Sequence, residues 1–490
     1  MTLVHFSHFS SLYGRYWLTM REFAIAKLIP VIFAIVAVVL LYVWLSADAA
    51  IDLTERVPPV RQAQQILPGE SEAIKIEGEL VRLEGVPADA PGAWPRFRGA
   101  NFDAISTEAM SLTRTWPAGG PPVLWSIEVG EGFAGAAIFA GRVYMLDYDR
   151  EQQADVVRCL SLGDGKDIWR YAYPVKVKRW HGMSRTVPAV TDKYVVTIGP
   201  KCHVTCLDSM TGEFRWMYNL VREFNTKVPQ WYTGQCPLIE DGKAIIAPAG
   251  DVLMMAVDCE TGEMVWQTPN PDGWIMTHSS IVPMEFKGKR FYIYCGGDHV
   301  KGGVVGISAQ DGNVLWKTDL WKVRFNVPMP VVVGEDRIFL TAGYGQTESG
   351  CMMLRLTETD GAIAVESEFL QATDVFGSIQ QSPIFYEGYI YGVRPDEQLV
   401  CLDLEGNVVW TSASAHKFGD GPYIIVNGLL YLMDDSGVLT LAQASSSGYL
   451  QLAQAKVMDG HESWGPMAVA SSRLIVRDTE RMICLDISKP

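Results

Sequence analysis

The stretch Ala256-Val257-Asp258-Cys259-Glu260-Thr261-Gly262-Glu263-Met264-Val265-Trp266 decides the fold. It reads as the end of an apolar strand, a turn that closes on glycine, and a tryptophan four residues further on. The phrase stands again at Cys206-Leu207-Asp208, Thr211-Gly212 and Trp216, and at Ile307-Ser308, Asp311-Gly312 and Trp316. Cys401-Leu402-Asp403 with Gly406 and Trp410 is a shortened copy, and Asp164-Gly165 with Trp169 is an earlier one. Two weaker copies carry Asp360-Gly361 with Val365, and Gly448 with Leu452.

The turn glycines Gly165, Gly212, Gly262, Gly312, Gly361, Gly406 and Gly448 recur every 42 to 50 residues. That period suits four short strands with their turns, one blade of a propeller. Runs such as Tyr194–Ile198 and Phe291–Tyr294 alternate or are apolar throughout, the pattern of strands rather than of amphipathic helices. Trp125 ends an outer strand with no blade before it, and Cys484-Leu485-Asp486 is a strand with no turn or tryptophan after it. Joined, they complete an eighth blade and remove an open sheet edge. The sequence therefore predicts an all-β, eight-bladed propeller of four-stranded antiparallel blades over about residues 120–488, closed by strands from both ends of the repeat. Trp125, Trp169, Trp216, Trp266, Trp316 and Trp410 are read as structural wedges between sheets. Cys159, Cys206, Cys401 and Cys484 share a small, buried strand position, where free cysteine packs as a small hydrophobe.

Across 490 residues the formal net charge is −15. Nucleic acid is disfavoured as a partner, because binding it requires a basic face. Leu28–Leu45 is free of charge, with Arg15, Arg21 and Lys27 before it and Asp48, Asp52 and Glu55 after it. This predicts a transmembrane helix with the bulk of the chain outside. The alternative is a signal peptide cut at Ala47-Asp48-Ala49, but the long leader and long apolar run favour an uncleaved anchor. Asp48 stands where a lipoprotein signal needs cysteine. The expected parts are a cytoplasmic segment 1–27, a signal anchor 28–46, a polar Pro-rich linker 47–92 and a propeller 93–490.

The copies at 206–216 and 256–266 resemble the pyrroloquinoline quinone (PQQ) repeat, A-L-D-x-x-T-G-x-x-x-W, and Trp94-Pro95-Arg96-Phe97-Arg98-Gly99 resembles the W-P-x-x-R-G segment that precedes many such propellers. The resemblance covers about three quarters of the chain. It implies one of two functional branches. One comprises quinoprotein dehydrogenases, with PQQ and usually calcium in the central channel. The other comprises non-enzymatic propellers related to the lipoprotein of the outer-membrane β-barrel assembly machinery. With the charge asymmetry, the resemblance implies a single-pass protein of the bacterial inner membrane, its propeller in the periplasm.

A loop leads into each innermost strand just before a proline: Pro188, Pro237, Pro283, Pro330, Pro383, Pro422 and Pro466. Equivalent blades would gather these loops around one mouth of the channel. They carry Trp180, His181, Arg185, Trp231, Gln235, His278, Arg324, Asn326, Gln380, Lys417, Asp420, His461, Glu462 and Trp464. Cations and indoles in a concave site suit a flat anionic ligand. Glu462 or Asp420 could bind calcium or act as a base. Against a dehydrogenase stand the lack of an adjacent cysteine pair and of a haem-attachment motif. No carboxylate pair or Gly-x-Ser-x-Gly motif points to a hydrolase. The leading expectation is a membrane-anchored scaffold for protein partners, without cofactor, with Trp180, Trp231, Trp274 and Trp321 as contact anchors. The alternative is a PQQ- and calcium-dependent dehydrogenase acting on an alcohol or sugar.

Overall fold

The computed structural model describes residues 33–42, 78–345, 348–460 and 462–489. Residues 33–42 are helical. At about 1.5 Å per residue, these ten described residues cover about half of a hydrocarbon core. Among the described residues no helix is long and apolar enough to cross a membrane. This corrects the expected transmembrane anchor; the segments 1–27, 28–32, 43–46 and 47–77 lie outside the described residues.

Eight antiparallel sheets of four repeat strands make up the propeller. In chain order the blades span 137–174, 189–219, 238–269, 282–318, 331–371, 384–411, 423–456 and 468–486, numbered here as blades 1 to 8. The eighth takes its outer strand, Val123–Glu128, from the front of the repeat, with Trp125 opposite Cys484 and Glu128 opposite Arg481. Arg477, fully buried, donates to the carbonyls of Ala134, Gly130 and Thr479 and so ties blade 8 to the loop before blade 1.

The recurring phrase has a physical reading at each position. The Asp208 and Asp258 carboxylates accept backbone N–H bonds two and three residues ahead, closing the turn as an Asx motif. Gly212 and Gly262 then adopt left-handed φ of 77° and 76°. A Cβ on Gly262 would lie 2.7 Å from the Trp216 ring, and one on Gly212 would lie 2.6 Å from Trp169. The indoles of Trp125, Trp169, Trp216 and Trp266 thus lie on the turn glycines of the next blade, Gly165, Gly212, Gly262 and Gly312, whereas Gly361 and Gly448 stand clear of any ring. The indole N–H commonly donates to a carbonyl of the next blade's turn: Trp125 to Leu162, Trp216 to Cys259, Trp266 to Ala309 and Trp410 to Ser445, at 2.9–3.2 Å. At Trp169 the neighbouring Tyr144 hydroxyl takes the equivalent carbonyl, that of Ser209.

On its own sheet each indole faces a small residue. Cys159, Cys206, Ala256, Gly306, Cys401 and Cys484 pair with Trp169, Trp216, Trp266, Trp316, Trp410 and Trp125. A bulge adjoins this pair in all eight blades. All nine cysteines are buried and free. In blade 5 the tryptophan's counterpart is Phe369, beside the Met353/Leu354 bulge and under Gly406, rather than Val365. In blade 7 it is Ala453 rather than Leu452.

The segment before the repeat is part of the domain. Glu79–Arg82 adds a fifth strand to the outer edge of blade 1. Trp94 exchanges two 2.8 Å backbone bonds with Ile138 of blade 1, and the Pro95 carbonyl accepts from Val190 of blade 2. The buried Arg98 guanidinium donates to the Ser382 and Pro383 carbonyls of blade 6. Ile105–Ser106 then pairs in parallel with the innermost strand of blade 7. Residues 94–106 thus cross the hub between opposite blades.

Two predictions follow from packing and charge. Gly262→Val combines a left-handed φ with a clash against Trp216 and should destabilise by about 3 kcal/mol. Gly288→Asn, at a left-handed glycine with open space around it, should be close to neutral in the same thermal melts. Asp155 is fully buried, and burial raises its carboxyl from 3.8 to about 8 against a smaller opposing effect of Tyr173. The folded chain holds a proton that the unfolded chain releases near 3.8, so stability should fall as pH rises from about 4 to about 8. Asp155→Asn should flatten that part of the Tm–pH profile; an unchanged slope would assign it to other groups.

Candidate functional site

The loops leading into the innermost strands do meet at one mouth of the channel, where they enclose a cavity of about 260 Å³. The rings of Phe133 and Trp464 stack at 5.3 Å, with His181 5.5 Å from Trp464. Across the cavity Trp231 packs on Phe325 at 5.1 Å, Tyr344 at 5.6 Å and His278 at 6.0 Å. Phe97, from the segment that crosses the hub, also lines the cavity.

Among the described residues, Arg185 is the one Lys, Arg, Asp or Glu in this lining. Its guanidinium donates to the Trp231 and His181 carbonyls and lies 5.2 Å from the centre of the Phe133 ring. Burial lowers its pKa to about 10, which leaves it a cation at neutral pH. Burial, and then Arg185, draw His278 down to about 4, so that imidazole is neutral. Burial raises the Tyr344 hydroxyl to about 12. His181, Trp231, Tyr232 and Glu462 all have left-handed φ, between 51° and 72°. For bulky residues that conformation costs about 1–3 kcal/mol each, and such strain clusters at ligand sites.

Of the residues singled out in the sequence, His181, Arg185, Trp231, His278, Gln380 and Trp464 come together around the cavity. Arg324 and Asn326 line an adjoining hollow that shares His278. Gln235 is buried away from the mouth, its amide bonded both ways to the Ala247 backbone. Lys417 pairs with Glu397 at 2.9 Å. Asp420 stands at the rim, where its carbonyl accepts from Gln380 and Gln381. Trp180 is 55% exposed and outside the lining, as is Glu462; His461 lies outside the described residues. Trp274 and Trp321, expected as exposed contact anchors, are buried in the core at 5% and 1%.

Sequence reading missed Phe97, Phe133 and Tyr344. Phe133 precedes the innermost strand of blade 1 just as the other loop residues precede theirs, so the loop series could have reached it. Tyr344 comes from the hairpin after Arg337–Thr341 within blade 5, and nothing in the repeat marks it. A larger hollow of about 890 Å³ opens where blades 8 and 1 meet. Five acids line it; Glu131 pairs with Arg179 and Arg150, and Asp478 accepts from the N–H groups of Glu480 and Arg481, while Glu128, Asp459 and Glu480 leave the hollow acidic.

The comparisons agree with this architecture. Residues 153–412 match the PQQ_2 family, described as outer membrane protein assembly factor BamB. The chain belongs to this PQQ-like family. The outer membrane protein assembly factor BamB of Yersinia pestis is 22% identical over 223 residues, 43% of this chain and 54% of that protein. The chain thus spans about half the length of the curated relative it matches. Among solved structures, BamB from Moraxella catarrhalis superposes with a TM-score of 0.51 at 14% identity, covering 74% of this chain and 99% of that one. A europium-containing methanol dehydrogenase gives 0.57 at 13% identity, covering 79% and 89%. At such identities the likeness establishes the PQQ-like propeller fold and leaves the function to the site.

The membrane-anchored scaffold, the membrane partnership and the inner-membrane location expected from the sequence are corrected, because among the described residues no helix is able to span a bilayer. The channel-mouth cavity favours a small-molecule site of the kind expected under the alternative. A metal-bound quinone, however, does not fit this cavity. Its lining has rings and one cation but no carboxylate, and among the described residues no three His, Cys, Asp or Glu side chains come together to hold a metal. Neither Asp420 nor Glu462 reaches the lining as a base or calcium ligand.

The rim carries one titrating acid. Burial, then Asp435 and Glu397, raise the Asp420 carboxyl to about 6. Asp435 itself accepts from the Asp420 N–H and, at 2.6 Å, from the Trp464 indole. Asp435→Asn should lower the Asp420 pKa by about one unit, since it removes a like charge. Carboxyl carbon shifts followed against pH would show it; an unmoved midpoint would assign the shift to burial alone.

Proposed function

We propose that the propeller binds a planar, ring-shaped molecule bearing an acidic group, with the ring among Phe133, Trp231 and Trp464 and the acid on Arg185. The observation that carries this reading is a charge contrast. A chain of net charge −15 keeps every carboxylate out of the lining of its channel-mouth cavity and leaves one half-buried guanidinium there. Aromatic faces stabilise a flat ring by stacking, and a desolvated guanidinium favours a carboxylate or phosphate. Neutral His278 can donate or accept one hydrogen bond to a ring heteroatom.

The residues bind and orient; they do not supply a hydride acceptor or a strong base. His278 stays neutral down to about pH 4, which makes it a weak proton acceptor at neutral pH. The reading is therefore of a binding propeller, with quinone carboxylates such as PQQ among the ligands whose shape and charge suit the cavity.

Titration of the full chain with PQQ, with and without calcium, tests this. Saturable quenching of tryptophan emission is expected, with the same Kd in calcium and in chelator. Arg185→Gln should weaken binding about tenfold or more, the value of one charge-assisted hydrogen bond. Absence of saturation at millimolar PQQ, or binding that requires calcium, would overturn the reading.

A further inference from the structure

Beside the aromatic cavity lies a second hollow of about 360 Å³, formed by the loops before blades 3, 4 and 5. The two share His278. Trp231 and Phe325, with tilted rings 5.1 Å apart, stand between them. Their chemistry differs. The second hollow is lined by Lys227, Arg324 and His299, with Asp298 as its only acid. The Asp298 carboxylate is already engaged: it accepts from the Val300 and Lys301 N–H groups at 2.8 Å and holds its own hairpin. Those bonds lower its pKa, so it stays a closed anion rather than a partner for the cations.

Several basic side chains at the loops of the propeller are matched, while among the described residues lysines such as Lys176, Lys178, Lys193 and Lys201 stand without an ion pair but line neither hollow. Arg150 and Arg179 pair with Glu131, Arg394 with Asp396, Lys417 with Glu397 and Lys317 with Asp272. Among the described residues no carboxylate lies within ion-pair distance of Lys227 or Arg324. The Arg324 guanidinium instead rests 5.1 Å from the centre of the Phe325 ring, at the boundary between the two spaces. The loop that presents it is rigidly set: Asn326 accepts from the Trp321 indole, and its carbonyl accepts from the His278 and Ser279 N–H groups. Two unmatched cations converge on a preformed hollow in a protein that is acidic overall. Such a site concentrates anions and binds them by charge-assisted hydrogen bonds.

We propose that this hollow is an anion subsite for a distal phosphate or carboxylate on the ligand whose ring fills the aromatic cavity. This deepens the proposed function and rests on it. The ligand class is then an aromatic or heteroaromatic ring that bears, besides the acid on Arg185, a second acidic group on a short arm, with Arg324 and Lys227 holding that second acid. His299 adds a third donor at the hollow's edge.

Riboflavin and flavin mononucleotide share a ring and differ by one distal phosphate, which makes them a matched pair of probes. Flavin mononucleotide should bind the full chain about tenfold or more tightly than riboflavin. That advantage should vanish in Lys227→Gln/Arg324→Gln while riboflavin affinity is unchanged; both side chains are exposed, so the fold is not at stake. Equal affinity of the two flavins in the parent chain would overturn the subsite while leaving the aromatic cavity standing. If neither flavin binds, inorganic phosphate decides. Its addition should shift the Arg324 side-chain N–H and His299 ring resonances in the parent chain and not in the double variant. No shift at tens of millimolar phosphate would overturn the proposal, and failure of the aromatic cavity itself would be read separately from PQQ and Arg185→Gln.

Discussion

The contact on which the rest of the molecule depends is the indole of one blade lying on the left-handed glycine of the next. A Cβ at Gly165, Gly212, Gly262 or Gly312 would stand within 2.9 Å of the preceding tryptophan. No other residue gives both the conformation and the clearance there. The indole's width sets the spacing between sheets, its N–H fixes the height of the next turn, and the small residue opposite lets the ring lie flat. Repetition of this contact turns a line of sheets into a ring, and the pairing of Val123–Glu128 with Arg481–Asp486 closes it. The mouth loops are brought together only because the ring closes.

That contact explains why the fold was legible and where legibility stopped. The turn chemistry of Asp208 or Asp258, the glycine and the tryptophan are consecutive in sequence, so the repeat announces itself and the eight blades can be counted. Blade 5 hides its wedge because its outer hairpin is longer, which moves the aromatic to Phe369, where spacing alone pointed to Val365. The hub crossing by residues 94–106 was invisible as structure. Its anchors are single long-range bonds, such as Arg98 to Ser382, with no periodic trace. The anchor expected over 28–46 rested on local hydropathy and flanking charge, and residues 33–42 are the helical residues the structure describes there.

The site was half legible for a related reason. Loops that start an innermost strand occupy equivalent places, so His181, Arg185, Trp231, His278, Gln380 and Trp464 could be gathered by position. Whether a side chain turns inward depends on local backbone geometry that the repeat does not encode. The left-handed φ of Trp231 and Tyr232 is such a case. Gln235 and Lys417 sit on the same loops and are engaged elsewhere, one by the Ala247 backbone and the other by Glu397. Charge distribution was the least legible property: a net charge of −15 says nothing of a cavity lined by one guanidinium and no carboxylate, with Asp420 held at its rim.

These features make one account. A ring of blades held by indole-on-glycine contacts brings together loops whose aromatic rings and Arg185 form a site for a flat anion. The most direct test is to locate such a ligand. Crystals soaked with a bromine-labelled aromatic carboxylate should show the anomalous bromine peak between Trp231, Phe133 and Trp464, with the carboxylate on Arg185. A peak in the acidic hollow between blades 8 and 1, or at the exposed Trp180, with the channel mouth left empty, would contradict the account.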